Sequence, residues 1–177
     1  MSYVQTRGLA TVDLLDPDLD GIPLGDLAWA LAHVNRFTGH AGQYSVAQHC
    51  VHAAAVLADH GFGRGVQSGG LMHDLHEAVI GDASMPIKRM LGEQWGTFER
   101  LHMRAVERRF RVRVIDVPAV DLIDQRLCVT EADQLLGGRV GSAWPDVSPL
   151  IELKIPKWTP ARAHSEFIFW AARLGIA

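Results

Sequence analysis

Four side chains of this sequence could together bind one divalent cation: His49, the adjacent residues His73 and Asp74, and Asp124. Two imidazoles and two carboxylates are borderline-to-hard ligands, which suit Zn, Mn, Co or Mg better than they suit metals that prefer soft thiolates. A cation bound in this way keeps coordination positions open for water and for a phosphate oxygen. The four residues therefore predict a metal site suited to phosphoester hydrolysis.

The residues before His73 and Asp74 strengthen this prediction. Leu71 and Met72 are apolar, so the pair is expected to lie at a buried position. A carboxylate that is buried without a partner costs several kcal/mol, and a metal ion is the simplest partner for this one. A lone buried histidine would more often be a packing residue, whereas an adjacent His-Asp pair is harder to explain in that way.

The elements that must position these residues are mostly helices. Residues 1–22 predict a small hairpin or extended arm, because short β-branched stretches flank Arg7-Gly8 and a turn signal follows at Asp16-Pro17-Asp18. Ser45 with Gln48 has the spacing of a capping box, and Thr159 before Pro160 is a second helix start. The predicted helices cover residues 23–34, 45–59, about 66–80, a short stretch from 86, 93–110, 118–137 and 159–175.

These elements predict an all-α fold in a single domain of 177 residues. Its parts would be the N-terminal arm at 1–22, a catalytic core at 23–136, and a loop with a C-terminal helix at 137–177. Short Gly-rich links make the helices that carry His49 and His73 antiparallel neighbours. A later helix that carries Asp124 would then cross back over this pair.

Composition excludes several classes of function. The net charge is -3, so no basic excess is present to bind the backbone of a long nucleic acid. Cys50 and Cys128 belong to no CxxC motif and are interpreted as small buried hydrophobic residues, which fits a reducing cytosol. No signal-peptide pattern or transmembrane-length apolar run is present. We therefore expect a soluble cytoplasmic protein with no membrane partner.

An ordered series of motifs gives a more specific expectation. The series is Asp26-Leu27-Ala28, Arg36-Phe37-Thr38-Gly39-His40, Tyr44-Ser45-Val46-Ala47-Gln48-His49, His73-Asp74-Leu75-His76-Glu77-Ala78, Gly81-Asp82 with Pro86-Ile87-Lys88, and Asp124 with Thr130-Glu131. Over about residues 10 to 136 the chain resembles the HD-domain metal-dependent phosphohydrolases. It is closest to a small phage and bacterial branch that includes dATP triphosphohydrolases and is related to the 5'-deoxynucleotidases.

The resemblance implies a helical HD-domain bundle with one catalytic divalent cation. His49, His73, Asp74 and Asp124 would be its ligands, with Zn, Co or Mn as the metal and Mg as another possibility. Asp121 lies one turn before Asp124 and is an alternative fourth ligand. The spacing to the Thr-Glu motif favours Asp124.

The resemblance also implies catalytic and phosphate-binding residues. Glu77 would position the attacking water or relay its proton, and His40 would assist with phosphate or protonate a leaving oxygen. Arg36 and Lys88 would bind phosphate oxygens, the first as a bidentate donor and the second as a point charge. Two alternatives remain open: Arg36 could be a solvated charge at a helix end, and Lys88 a surface residue.

Two further residues concern the sugar. The resemblance places Asp82 at the sugar 3'-hydroxyl, and it places the ring of Phe37 where a 2'-hydroxyl would be disfavoured.

Glu131 and Asp133 are interpreted as structural partners of an arginine such as Arg126. Four other histidines are interpreted as surface or packing residues: His52, His60, His76 and His102.

The expected activity is therefore hydrolysis of a deoxynucleotide phosphoester, most simply of a dATP-type triphosphate to nucleoside and tripolyphosphate. A 5'-deoxynucleotidase acting on monophosphates and a non-catalytic nucleotide sensor are the alternatives. Relatives of this kind form dimers or hexamers, so a homo-oligomer is expected, in the host cytoplasm if the protein is phage-encoded. The apolar faces at 95–110 and 167–170 could supply an interface, or the C-terminal helix could complete the core of the monomer.

Overall fold

Helices form most of the protein, and a short antiparallel hairpin precedes them. The computed structural model describes residues 2–137 and 146–176. In the hairpin, the two strands pair in antiparallel orientation, with Val4 opposite Val12. The elements in chain order are β1 Tyr3–Gln5, β2 Thr11–Asp13, α1 Leu24–His33, α2 Val46–Asp59, α3 Arg64–Met72, α4 Glu77–Ile80, α5 Met85–Leu91, α6 Glu93–Phe110, α7 Pro118–Leu136 and α8 Pro160–Leu174. The prediction of an all-α fold with a short N-terminal hairpin is confirmed.

Helix α2 lies at the centre of the bundle and packs against α1, α3, α7 and α8. Small residues such as Ala53 and Ala54 allow these neighbours to approach closely, and both are fully buried. The side chain of Ser45 accepts a hydrogen bond from the N–H of Gln48, which confirms the predicted cap of α2. Because α2 is packed on several sides, a residue on it such as His49 is held in a rigid frame.

Only half of the predicted capping box forms. Gln48 does not reach back to the start of its own helix, since its amide instead donates to the carbonyl of Pro156. Its side-chain oxygen accepts from the backbone N–H of Trp158 at 3.2 Å. Gln48 is fully buried, so these two bonds satisfy it and attach the segment before α8 to the central helix.

Helix α3 is shorter than the sequence predicts, because it ends at Met72 rather than near residue 80. The ring Nδ1 of His73 lies 2.8 Å from the carbonyl oxygen of Gly70. That oxygen would accept the backbone N–H of Asp74 if the helix continued. The side chain therefore competes with the next helical hydrogen bond, and the chain passes through a tight turn before α4.

The C-terminal helix completes the core of the monomer. Thr159 accepts from the N–H of Arg162 as the predicted N-cap, and Gly175 ends the helix at φ 76°. The apolar face of α8 is buried, including Phe167 at 0% exposure and Ala171 at 1%. Residues 146–158 form no helix or strand, as predicted, while residues 139–145 of the predicted loop lie outside the described residues. Across the described ranges, we find no helix with the length and apolar character needed to cross a membrane.

Candidate metal centre

The four predicted metal ligands converge on one point from three parts of the fold. His49 lies on α2, Asp124 on α7, and His73 and Asp74 in the turn that follows α3. One ligand atom from each of the four lies within 4.8 Å of each of the others. The structure therefore brings together the whole set that the sequence singled out. Asp121, the alternative ligand, is an exposed residue on the rim of the same cavity.

The distances between these atoms suit a bound cation. His49 Nε2 lies 3.0 Å from Asp124 Oδ1 and 3.2 Å from His73 Nε2. His73 Nε2 lies 3.2 Å from Asp74 Oδ2, and His49 Nε2 lies 3.7 Å from the same oxygen. Ligands at about 2.0 to 2.1 Å from a metal are separated by roughly 3.0 Å in octahedral and 3.4 Å in tetrahedral geometry. The observed spacing brackets these values.

The two histidines are oriented by bonds on the far side of their rings. Nδ1 of His49 lies 2.6 Å from Oε1 of Glu131, and Nδ1 of His73 lies 2.8 Å from the carbonyl of Gly70. Both acceptors require an N–H at Nδ1, so each neutral ring presents the lone pair of Nε2 to the centre. Two lone pairs that face each other at 3.2 Å need a positive charge between them. The donor set therefore fits a divalent cation.

The charges in the cluster are strongly coupled. Burial opposes ionisation of Asp74, but His73 beside it lowers the pKa of Asp74 below its ordinary value. Burial likewise opposes ionisation of Asp124, and hydrogen bonds from His49 and His73 lower its pKa well below the ordinary value. Burial by itself would lower the pKa of His49 and of His73, but nearby acidic groups outweigh it and raise both pKa values. The largest contribution that raises the pKa comes from Glu131 at His49 and from Asp74 at His73. A metal needs neutral imidazoles and ionised carboxylates as ligands, so metal binding at this cluster should release protons.

A buried ion pair supports the histidine on α2. Arg36 Nε lies 3.0 Å from Glu131 Oε2, and Arg36 Nη1 lies 3.5 Å from Asp74 Oδ2. Glu131 is fully buried and also accepts from the hydroxyl of Tyr44 at 2.6 Å. The interpretation of Arg36 as a solvated charge is therefore wrong. Its guanidinium lies beside Asp74, one of the four predicted metal ligands.

The predicted partner of Glu131 was also wrong. Glu131 pairs with Arg36 instead of Arg126, whose guanidinium donates to the carbonyls of Ser148 and Pro149. Asp133 is exposed. Glu131 does have the predicted kind of role, as a structural partner of an arginine, and it also contacts the predicted metal ligand His49.

Arg36 is presented by an unusual turn. Phe37 and Thr38 follow it with φ of 56° and 53°, and Gly39 continues at 80°. Non-glycine residues with positive φ cost of order 1 kcal/mol or more each and are found more often near functional sites. The ring of Phe37 packs near Ala41 and Tyr44. His40 ends the turn and is exposed.

A second group of charges lies beside the first and includes Lys88. Its Nζ lies 2.5 Å from Oε1 of Glu99 and 3.7 Å from Oε1 of Glu77. The interpretation of Lys88 as a surface residue is therefore wrong, because its side chain is only 23% exposed. Burial, with the negative charge of Asp74 next in size, raises the pKa of Glu77 well above its ordinary value. Asp82 is partly buried at the next turn, and burial raises its pKa while Arg36 opposes the shift.

Two of the histidines interpreted as surface or packing residues are buried near this second group. His76 and His102 are each 2% exposed. Burial, with His76 as the second cause, lowers the pKa of His102 to about 4. His52 is also buried, behind Tyr44, whereas His60 is exposed and bonds to the carbonyl of Val56. The sequence carried no signal for Glu99, which belongs to none of the motifs and comes close to His76 and Lys88 only in the folded chain.

A cavity of about 160 Å³ opens onto both groups and is lined by His73, Asp74, Lys88, Glu99 and Asp124 among others. A larger cavity of about 500 Å³ lies between the start of α3 and the segment at Arg111 to Pro118. That cavity is lined by none of the four predicted metal ligands. The smaller one is therefore the candidate site.

Comparison with known proteins identifies relatives but no activity. No family model matches the chain. It is 34% identical to "Uncharacterized protein YfdR" of Escherichia coli (strain K12) over 153 residues, which cover 84% of this chain and 82% of that protein. It is 32% identical to "Uncharacterized protein RCAP_rcc00048" of Rhodobacter capsulatus over 138 residues, which cover 71% and 69% of the two chains. The chain belongs to the family of these two proteins. The extent of both matches indicates that they share its fold.

Proposed function

We propose that this protein is an HD-type, metal-dependent phosphohydrolase that acts on a deoxynucleotide. The observation that carries the proposal is the convergence of two imidazoles and two carboxylates beside two cationic side chains, the buried Arg36 and the partly buried Lys88. A purely structural metal site needs only its ligands. Cations next to it are what a phosphate substrate requires.

The chemistry would be divided among the residues of the cavity. A divalent cation bound by His49, His73, Asp74 and Asp124 would supply Lewis acidity and lower the pKa of a bound water. Arg36 would contact a phosphate oxygen while it remains paired with Glu131. Its guanidinium has donors to spare beyond the two contacts it makes.

Glu77 is the best-placed acid or base. It is 2% exposed, and its Oε2 has no hydrogen-bond partner among the described residues. A carboxyl group with a raised pKa can take a proton from an attacking water and return it to a leaving oxygen near neutral pH. His40, exposed at the end of the turn after Arg36, would assist at the leaving group.

The volume of the cavity suits the reacting part of the substrate. About 160 Å³ is less than the roughly 300 to 1,000 Å³ of pockets that enclose drug-sized ligands. A phosphoryl group would enter the cavity, and the sugar and base would lie outside it, with Asp82 and Phe37 as the proposed contacts to the sugar. We favour a dATP-type triphosphate, with the sugar 5'-oxygen as leaving group. We also propose that the protein forms a homo-oligomer.

The deciding experiment is product analysis of dATP and dAMP, each incubated with the protein and Co(II), Mn(II) or Zn(II). Deoxyadenosine with tripolyphosphate from dATP would support the triphosphohydrolase. Deoxyadenosine from dAMP alone would instead make the protein a 5'-deoxynucleotidase. A full panel of deoxynucleotides that binds without any turnover would overturn the proposal in favour of a nucleotide sensor.

Substitutions at the two aspartates of α7 test the metal site itself. Asp124→Asn should lose both bound metal and turnover, because it removes a ligand. Asp121→Asn is the matched control, one turn earlier on the same helix and on the rim of the same cavity. It should retain both properties. Metal content is measured by elemental analysis, and equal metal loss in the two variants would contradict the assignment of Asp124.

A further inference from the structure

Next to the metal centre lies a second group of potential ligands, in which Glu77, the proposed acid or base, is joined by two residues with no role so far: His76 and Glu99. One ligand atom from each lies within 4.8 Å of the other two. His76 and Glu77 are each 2% exposed, while the side chain of Glu99 is 20% exposed. The three residues come from the turn after α3, from α4 and from α6, so the fold rather than local sequence brings them together.

The group contains buried acceptors that have no donor. Nδ1 of His76 bonds to the carbonyl of His73 at 3.1 Å, and that bond requires the proton to be on Nδ1. In the neutral ring, Nε2 of His76 therefore carries a lone pair, and it faces Oε1 of Glu99 at 3.6 Å. Nε2 of His76 and Oε2 of Glu77 are both buried without a hydrogen-bond partner in the described parts of the chain. Buried unpaired acceptors are costly, so each points to a missing cation or donor.

The ammonium of Lys88 satisfies this group only in part. It bonds to Oε1 of Glu99 at 2.5 Å, but it lies 3.7 Å from Oε1 of Glu77, beyond hydrogen-bond distance. Lys88 is carried by α5, a short helix with no buried residues that lies between Gly81 and Gly92, both at positive φ. Its long stem allows the ammonium to leave without any change in the core.

We infer that His76, Glu77 and Glu99 form a second divalent-cation site, for which the ammonium of Lys88 and a metal ion are mutually exclusive occupants. Two carboxylates and one imidazole suit a hard or borderline ion such as Mn(II). With Lys88 in place the protein binds one cation per chain, at the centre already described. When the ammonium is removed, two carboxylates and a free imidazole lone pair are left to bind another.

The inference deepens the proposed function, because Lys88 would supply beside the first cation the positive charge that a second metal supplies in two-metal phosphohydrolases. Its test is a count of bound metal and does not depend on turnover. Mn(II) is titrated into the purified, metal-free full chain, and free Mn(II) is followed by electron paramagnetic resonance. The wild type should bind one equivalent, and Lys88→Ala should bind two.

Two further variants sharpen the count. Arg89→Ala removes the neighbouring positive charge on the same helix and should bind one equivalent, as the wild type does. The double variant Lys88→Ala/Glu99→Gln should return to one equivalent, because it removes a ligand of the second site. A single equivalent in Lys88→Ala, or two in the double variant, would overturn the inference. A wild type that binds none of Mn(II), Co(II) and Zn(II) would instead overturn the proposed function.

Discussion

Glu131 is expected to control both the stability of the protein and its affinity for metal, and Glu131→Gln tests this. The carboxylate is fully buried and accepts from Arg36, from Tyr44 and from Nδ1 of the metal ligand His49. Glutamine has the same shape, but its NH₂ must replace one acceptor oxygen. In one orientation of the amide, its NH₂ faces the guanidinium of Arg36; in the other, it faces the hydroxyl of Tyr44 and the Nδ1–H of His49. Either way donors face donors, and the buried arginine loses its close counter-ion.

The magnitude follows from the same contacts. Burial raises the pKa of Glu131, but Arg36 and His49 outweigh it and lower the pKa from 4.5 to about 2. A difference of that size between folded and unfolded chains corresponds to about 3 kcal/mol of stability at neutral pH. Breaking a buried ion pair by removing one partner costs roughly 3–5 kcal/mol. We therefore expect Glu131→Gln to lower the free energy of unfolding by about 3 kcal/mol at pH 7.

Metal affinity should fall as well, by roughly 10- to 100-fold, which is the usual effect of losing a residue that orients a metal-binding histidine. Urea denaturation of the metal-free protein measures the stability, and competition with a chelator measures the affinity. Asp133→Asn is the matched control, since it makes the same change of charge on the same helix at an exposed position. It should change neither quantity by more than about 0.5 kcal/mol.

The pH dependence gives the sharpest refutation. The folded-state pKa of Glu131 is below its unfolded value, so its contribution is fully present above about pH 4.5 and is lost as the pH falls toward 2. The difference in stability between the wild type and Glu131→Gln should shrink over that range. A difference that is small at pH 7, or that stays constant down to pH 3, would show that the ion pair does not have the assigned role.

Three other substitutions test the packing and the protonation of the core. Gly69→Ala should lower the stability by about 1–3 kcal/mol, because a Cβ there would lie 2.7 Å from the carbonyl oxygen of Arg113. A Cβ at Gly65, on the same helix, would meet nothing within 4 Å, so Gly65→Ala should raise the stability by up to about 1 kcal/mol. Thermal unfolding of both variants checks this, and equal shifts in melting temperature would contradict it. Burial lowers the pKa of His52 from 6.5 to about 4, so the folded protein should lose about 3 kcal/mol from this group as the pH falls from 6.5 to 4. His52→Phe should remove that part of the slope in urea titrations at a series of pH values, and an unchanged slope would show that His52 is not protonated on unfolding.

Local signals in the sequence predicted most of the helices. Ser45 and Thr159 are caps whose hydrogen bonds need only the next few residues, and α6 and α7 begin and end close to the predicted positions. The end of α3 could not be predicted in this way. It depends on the ring of His73, which takes the carbonyl of Gly70, and a ring orientation of that kind follows from tertiary packing.

The candidate site shows the same division. The four predicted metal ligands, which the fold brings together, could be recognised because their residue types are unusual in apolar surroundings and because they stand in an ordered series of motifs. The partner of Glu131 was not, since Arg36 is far away along the chain whereas Arg126 is nearby. The role of Glu99 could not be predicted from the sequence, because a glutamate on an amphipathic helix is common. Only the folded chain brings Lys88 into contact with it.

The positions of the two cysteines invite a comparison between a cation at this centre and a disulfide bond. Cys50 follows the ligand His49 directly, Cys128 lies one turn after Asp124, and both are free thiols. A cation that joins α2, the turn after α3, and α7 closes long loops of the chain, as disulfides between these segments would. A cation bound there would thus cross-link the chain through coordination bonds in place of sulfur. Chelation, rather than reduction, is the treatment that would open it.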